Sequence, residues 1–446
     1  MNRWIVALLV GLAVLLLVAP GIVGRLAEQN IDRGLSQVDL QNENLSITAE
    51  AFERGWFTSE GTYRFSFDNG RLMGGVGAAE GETPNAPALI LSTRLDHGPV
   101  PLGSLQRDDG SLSPALANAV STVSMDRGDG QLVDLPARIL STVGLAGGTT
   151  ARLVVEQGSD SYGNARTDWE GADLTYRVSG DGLTRSLEGN VLPFSVNFFE
   201  MDTRVGNATI DSEQDLRRHP VGEGFIDFAL DSFDVRMPGE DNSSLGPVVV
   251  HLENEVSGDR LLSGEGRIEL TATEVAGVGD IAFDTAFTVA GLDADGLKLI
   301  VDATRVLGMS GTVSGRDERL IALASLDQGN NQLASRGGEL TIEAMNLAVY
   351  DGSATLTLNL LVDEAGDAAS PTDPAGLMLR TSGDLAASIS DELFEHMVSL
   401  NPDLRGLLAA GYLQKTSDGY SVAIEMDRGK LVINGAPLNL SSLLSP

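Results

Sequence analysis

From Leu45 onward the chain is dominated by period-two alternation of apolar and polar side chains. Tyr63-Arg64-Phe65-Ser66-Phe67 alternates cleanly and runs into Asn69-Gly70, a favoured hairpin turn. The same alternation recurs at Leu174 to Val178, Phe194 to Phe198, Ile268 to Leu270, Leu340 to Ile342 and Leu356 to Leu360. Asp181-Gly182, Asp295-Gly296, Asp351-Gly352, Asp418-Gly419 and Asn434-Gly435 punctuate these runs. Many short strands joined by tight turns predict a mainly β protein built on large antiparallel sheet.

Helical signals are few. Short helices are expected from Pro114 to Val120 and from Leu135 to Val143. The strongest signal is a small helical element near 390–412. Ser390 is a capping residue, and Leu393, Phe394, Met397 and Val398 follow on one helical face. Asn401-Pro402 interrupts it, because proline disfavours helix in the residue before it and has no N–H to donate. Leu404, Leu407 and Leu408 then form a second short face, up to Gly411.

One stretch fits neither pattern. Trp4 to Val23 has no charged residue and is about 20 residues long, which as a helix spans about 30 Å, one hydrocarbon core. Its Leu, Ile and Val side chains each favour insertion by about 0.3 to 0.6 kcal/mol. Ala19 is followed by Pro20, a poor context for cleavage, and the run is longer than a usual signal core. It is therefore read as an uncleaved N-terminal transmembrane helix, with a cleaved signal as the alternative. The resulting plan is a signal anchor at 1–24, a juxtamembrane tether at 25–44, an N-terminal β region at 45–215 and a central β region at 216–362. The acidic, proline-bearing segment 363–376 is a linker or surface loop, and 377–446 holds the helical element and a C-terminal hairpin.

Composition narrows the function classes. The formal charge of −33 argues against nucleic acid, since little here would neutralise phosphates. There are no cysteines, so disulfides, thiolate metal sites and cysteine nucleophiles are excluded. Aromatics make up only 5%, so the interior must be aliphatic. His97, His219, His251 and His396 are far apart in sequence and lack H-E-x-x-H spacing, so ordinary surface or strand histidines are expected, with no metal and no cofactor. Ser310 lies in a glycine-rich turn rather than a G-x-S-x-G elbow. Asp126 to Gly130 and Asp293 to Gly296 approach calcium-loop spacing without completing it, and turn chemistry is the expected reading. No catalytic residues are expected.

Three local patterns resemble a known family. Phe52-Glu53-Arg54-Gly55-Trp56-Phe57-Thr58-Ser59 comes first, then Leu95-Asp96-His97-Gly98-Pro99-Val100-Pro101. Near the C-terminus, Asp418-Gly419-Tyr420 precedes Ile433-Asn434-Gly435-Ala436-Pro437-Leu438. With the N-terminal anchor, this layout resembles the YdgA-like family of bacterial envelope proteins, whose domain has no assigned function. The resemblance implies a single-pass protein of the bacterial inner membrane, held there through residues 4–23, with its C-terminal part in the periplasm. The motif residues Arg54, Gly55, Trp56, Phe57, His97, Gly98, Pro99, Tyr420, Asn434 and Gly435 read as structural. Trp56 and Phe57 suit core aromatics at a strand start, Gly55 a bulge or close backbone approach, and Asp96 to Pro99 a strand ending in a turn.

Two non-enzymatic roles follow from where the apolar strand faces go. If they close into a dry core, the protein is an anchored scaffold that binds other envelope proteins through its polar surface. If the sheet stays open, its aliphatic lining is a groove for lipid acyl chains. The scaffold is the first expectation and the lipid groove the alternative.

Overall fold

The computed structural model describes residues 45–55, 57–67, 88–97, 115–126, 132–162, 165–198, 201–237, 239, 242–275, 277–308, 316–365 and 372–438. The chain divides into two compact units. Of the described residues, the first holds those up to Gly158 together with Glu170–Gly189, and the second holds the remainder. The anchor segment Trp4 to Val23 and the tether lie outside the described residues. No helix among the described residues is long and apolar enough to cross a membrane.

The first unit is an antiparallel meander. It runs through β1 (Leu45–Arg54), β2 (Thr58–Phe67), β3 (Ala88–His97), β4 (Ala115–Asp126), β5 (Leu132–Gly144) and β6 (Thr149–Val155), each paired with the next. The strands β7 (Gly158–Tyr162) and β8 (Ala165–Trp169) that follow belong to the second unit, after which β9 (Ala172–Val178) pairs with β6, and β10 (Thr184–Val191) pairs with β9. Two expected helices are therefore strands. The Ala115 to Val120 stretch lies in β4 and the Leu135 to Val143 stretch in β5. Their apolar spacing is compatible with either period over so few residues, and pairing on both sides decided for strand.

Besides β7 and β8, the second unit holds a longer run of strands. Its strands are β11 (Phe194–Phe198), β12 (Met201–Val205), β13 (Ala208–Asp215), β14 (Glu223–Leu230), β15 (Phe233–Arg236), β16 (Ser243–Val256), β17 (Leu261–Val275) and β18 (Gly279–Asp293). Helices α1 (Ala294–Gly308) and α2 (Arg316–Arg336) follow, then β19 (Gly338–Val349), β20 (Gly352–Val362), the short α3 (Pro374–Arg380) and β21 (Thr381–Ser390). Helices α4 (Asp391–Leu400) and α5 (Arg405–Ala409) lead to β22 (Gln414–Lys415), β23 (Gly419–Asp427), β24 (Lys430–Ile433) and β25 (Ala436–Leu438). Antiparallel pairing is continuous from β14 through β16, β17, β18, β19, β20, β21 and β23 to β24. Segment 363–376 lies between strands β20 and β21, which pair directly with each other, and its last three residues open α3.

The helical element near 390–412 matches its sequence signals. Ser390 Oγ accepts the Leu393 N–H, Leu393, Phe394 and Val398 are buried, and helix stops at Leu400 before a single 3-10 turn at Pro402–Leu404. By contrast, α1 and α2 were not expected. Asp295-Gly296, read as a hairpin turn, forms the first turn of α1, where Asp293 Oδ1 accepts the Gly296 N–H at 2.7 Å. Gly329 looks like a helix breaker but sits mid-helix in α2. A Cβ there would lie 2.7 Å from the Gly296 carbonyl oxygen and 2.8 Å from Ile300, so the two glycines let the helices touch at the backbone.

Turn residues also shift by one place. The β19–β20 hairpin turns at Tyr350-Asp351, both with positive φ, while Gly352 opens β20. A Cβ on Gly352 would lie 2.6 Å from the Leu393 nitrogen, so this glycine serves helix packing rather than the turn.

Candidate functional site

The register of the second unit sorts its side chains into two chemically distinct faces. Side chains directly opposite in an antiparallel pair leave the same face, and alternate residues along a strand share that face. One row across the sheet reads Ile226, Leu252, Gly266, Phe287, Ile342, Leu358, Leu385, Ile424. The next reads Phe228, Val250, Ile268, Thr285, Met345, Leu356, Ala387, Val422, and a third reads Leu230, Val248, Leu270, Phe283, Leu347, Ala354, Ile389, Tyr420. Apart from Thr285 and the Tyr420 hydroxyl, this face is apolar over eight strands. The opposite face carries Asp227, His251, Glu253, Glu265, Arg267, Glu269, Asp284, Asn359, Asp384 and Glu425.

The apolar face is not sealed. Within the three rows only Gly266 and Thr285 are buried, and every other side chain keeps part of its surface open, with Ile226 at 46% and Leu252 at 37% exposure. Helices cover two of its ends. At one, Val256, Leu262 and Ala294 form a buried cluster with Val289, Leu292 and Leu297 around the start of α1. At the other, Phe394 of α4 packs on Tyr420 with ring centroids 4.1 Å apart. The central rows lie between these two covers. A Cβ on Gly266 would lie 2.4 Å from the Phe287 ring and 2.8 Å from Leu252, so this glycine admits both side chains over the strand.

The family-like motifs meet in space within each unit. At one edge of the first unit, Gly55 closes the β1–β2 connection. Its N–H donates to the Thr58 carbonyl at 2.7 Å, and a Cβ would lie 2.5 Å from that oxygen, so the expected close backbone approach is present. The His97 N–H donates to the Phe57 carbonyl at 2.9 Å, and Ser59 Oγ shares a hydrogen bond with His97 Nε2 at 3.1 Å. Ser59, Asp96 and His97 are each 1% exposed. Asp96 leaves the opposite side of β3 from His97, where Asn118 of β4 is its cross-strand neighbour. The serine–histidine pair is thus a buried fastening between β2 and β3. β3 ends at His97 as expected, while Trp56, Gly98 and Pro99 lie outside the described residues. Two expectations need correction. Phe57 is 46% exposed and is no core residue, because its backbone, not its ring, makes the contact to β3. His97 is a buried strand histidine, within the expectation, whereas His219 is buried in the β13–β14 connection and is neither a surface nor a strand histidine. Arg54 is exposed at the end of β1.

In the second unit Asn434 and Gly435, both with positive φ, form the two-residue turn between β24 and β25. Asn434 Oδ1 accepts the Ala423 N–H at 2.8 Å, and its Nδ2 donates to the Gly411 and Tyr412 carbonyls at 3.1 Å each. This turn therefore pins the end of the helical element to β23. Tyr420 lies between Phe394 and Lys415, whose ammonium stands 4.3 Å above its ring.

Two further histidines are built into polar contacts that sequence spacing hides. His219 Nδ1 accepts the Val221 N–H at 3.2 Å, so its Nε2 proton goes to Asp295 Oδ1 at 2.9 Å, and Arg260 donates to Asp295 Oδ2 at 2.8 Å. His219, then Arg260, holds the Asp295 carboxyl below the usual carboxylate range. This triad ties the β13–β14 connection to the start of α1. On the polar face, His251 Nδ1 lies 2.5 Å from Asp227 Oδ1 of the neighbouring strand. That hydrogen bond raises the His251 pKa above the ordinary value, and Glu253 and Glu265 add to it. A raised histidine pKa stabilises the fold fully below the unfolded value of about 6.5 and ceases to do so as pH rises through the folded value. Asp227→Asn is expected to lower the NMR titration midpoint of His251 and to remove this pair's contribution at low pH. An unchanged midpoint would contradict the assignment.

Comparison with known proteins places the chain at family level. The family described as "Bacterial protein of unknown function (DUF945)" matches residues 1–441. The chain belongs to that family. DUF945 membership covers both units and all the motif residues above, so the buried Ser59–His97 fastening and the Asn434 turn both lie inside the matched span. Searches of curated proteins and of solved structures each found no match.

Proposed function

We propose that this DUF945 protein is a non-enzymatic, YdgA-like component of the bacterial envelope. It is anchored in the inner membrane through residues 4–23, has its C-terminal part in the periplasm, and holds lipid acyl chains on the apolar face of its second unit. The observation that carries this reading is the part exposure of three adjoining apolar rows over eight strands. A scaffold working through its polar surface needs those rows in a dry core, and their exposure favours the lipid reading over it. Contiguous apolar surface of this extent is costly to leave facing water and marks binding surfaces. Its lining is mostly Leu, Ile, Val, Met and Ala, which suits flexible chains that need smooth walls rather than stacking partners. The formal charge of −33 disfavours anionic headgroups, so zwitterionic phospholipid is the expected class.

The test is binding of a long-chain fatty acid carrying an environment-sensitive fluorophore to the full chain. Saturable binding, displaced by zwitterionic phospholipid, is expected. Absence of saturable binding would leave the polar-surface scaffold as the better reading.

A further inference from the structure

The polar face of the second unit carries a side-chain group that acyl-chain binding does not use. His251 and Glu253 are two residues apart on β16 and leave the same face, and Glu265 of β17 lies directly opposite Glu253. One ligand atom from each of the three lies within 4.8 Å of the other two.

Both glutamates are exposed and His251 is part-exposed, and what sets the group apart from other acidic surface is its pairing and its histidine. Like charges directly opposed across an antiparallel pair destabilise it. Elsewhere the chain meets cross-strand carboxylates with arginine, as at Arg152–Asp173 and Arg177–Glu188. Among the described residues no arginine or lysine pairs with Glu253 or Glu265, and Arg267, opposite His251, is paired with Glu269. The histidine supplies a nitrogen donor, and its Nδ1 is engaged by Asp227. A carboxylate on one ring nitrogen fixes the imidazole and leaves Nε2 for a ligand, the usual arrangement behind a metal-bound histidine. Beside the two glutamates, but not touching His251, is an open hollow of about 320 Å³ lined also by Asn254, Ser263 and Thr288.

We propose that His251, Glu253 and Glu265 bind one divalent transition-metal ion, with zinc the best fit, through His251 Nε2 and an oxygen of each glutamate, while Asp227 orients the imidazole. One nitrogen and two carboxylate oxygens suit zinc, and the exposure of both glutamates leaves a fourth position open to water. Calcium, which takes six to eight oxygens, fits the set poorly.

The test is calorimetric titration of the chelator-treated full chain with zinc chloride. One site per chain is expected, with little heat from calcium. His251→Ala and Glu265→Gln are each expected to weaken zinc binding by more than about 100-fold, and Asp227→Asn by about 10- to 100-fold. Glu425→Gln, on the same polar face but several strands away, is expected to bind as the unaltered chain does. A readout that needs no variant is the imidazole nitrogen resonance of His251, which zinc should shift at Nε2. Absence of zinc binding, an unmoved His251 resonance, or unchanged affinity in a folded His251→Ala protein would overturn the proposal.

Discussion

Leu252→Glu and Leu358→Glu are expected to leave the protein folded yet weaken acyl-chain binding by tenfold or more. Both side chains stand in the first of the three apolar rows and keep part of their surface in water. A charge there keeps access to solvent, so the stability loss should stay near 1–2 kcal/mol, about the value of a partly buried leucine. Once an acyl chain lies on the row, the same carboxylate is desolvated without a partner. Lost methylene contacts of about 0.8 kcal/mol each add to that penalty, and 1.4 kcal/mol is already tenfold in affinity. Leu393→Glu is the contrasting variant. Leu393, on the buried side of α4, is 4% exposed, and a carboxylate there should cost roughly 4 kcal/mol or more and unfold that corner. Urea denaturation of the three variants, with probe binding measured alongside, separates the two cases. If Leu358→Glu unfolds the protein as Leu393→Glu does, the central rows are a dry core and the lipid reading fails.

His97→Ala is expected to be the most damaging of the histidine substitutions. The ring is 1% exposed and hydrogen-bonded to Ser59, itself 1% exposed, so truncation leaves a cavity and a buried hydroxyl without its partner. Those two effects together should cost about 3–5 kcal/mol. His396→Ala removes only a stacked contact with Tyr350, ring centroids 3.7 Å apart, on a part-exposed helix face. It should cost about 1 kcal/mol. Equal losses from the two variants, measured by denaturant midpoint, would mean that the β2–β3 fastening carries no particular weight.

The strands and the Ser390 cap were legible because each depends on neighbours in sequence: alternation, a hairpin dipeptide, a capping hydroxyl three residues from its N–H. What was missed depends on partners far along the chain. The α2 helix has no apolar stripe, since Leu320, Ile321 and Leu323 are exposed, and its Gly329 is explained only by Gly296 of the facing helix. Likewise, β4 and β5 read as helix in isolation and became strands through pairing on both sides. The same limit applied to the sites. His251-x-Glu253 is visible as a strand pair on one face, but Glu265 joins it only through the β16–β17 register. His219 finds Asp295 76 positions away, and Ser59 finds His97 38 positions away. The two faces of the large sheet were implied by alternation in each strand, whereas the openness of one of them depends on what covers it. Alternation is the same for a sealed face and an open one.

The central claim is that the apolar rows of the second unit hold acyl chains. Its most direct measurement is photo-crosslinking in the full chain with a zwitterionic phospholipid bearing a diazirine on its acyl chain, followed by mapping of the adducts by mass spectrometry. The account predicts adducts on the apolar rows, at residues such as Leu252, Ile342 and Leu358, that fade when unlabelled phospholipid competes. Adducts confined to residues 4–23, with none on those rows, would contradict it.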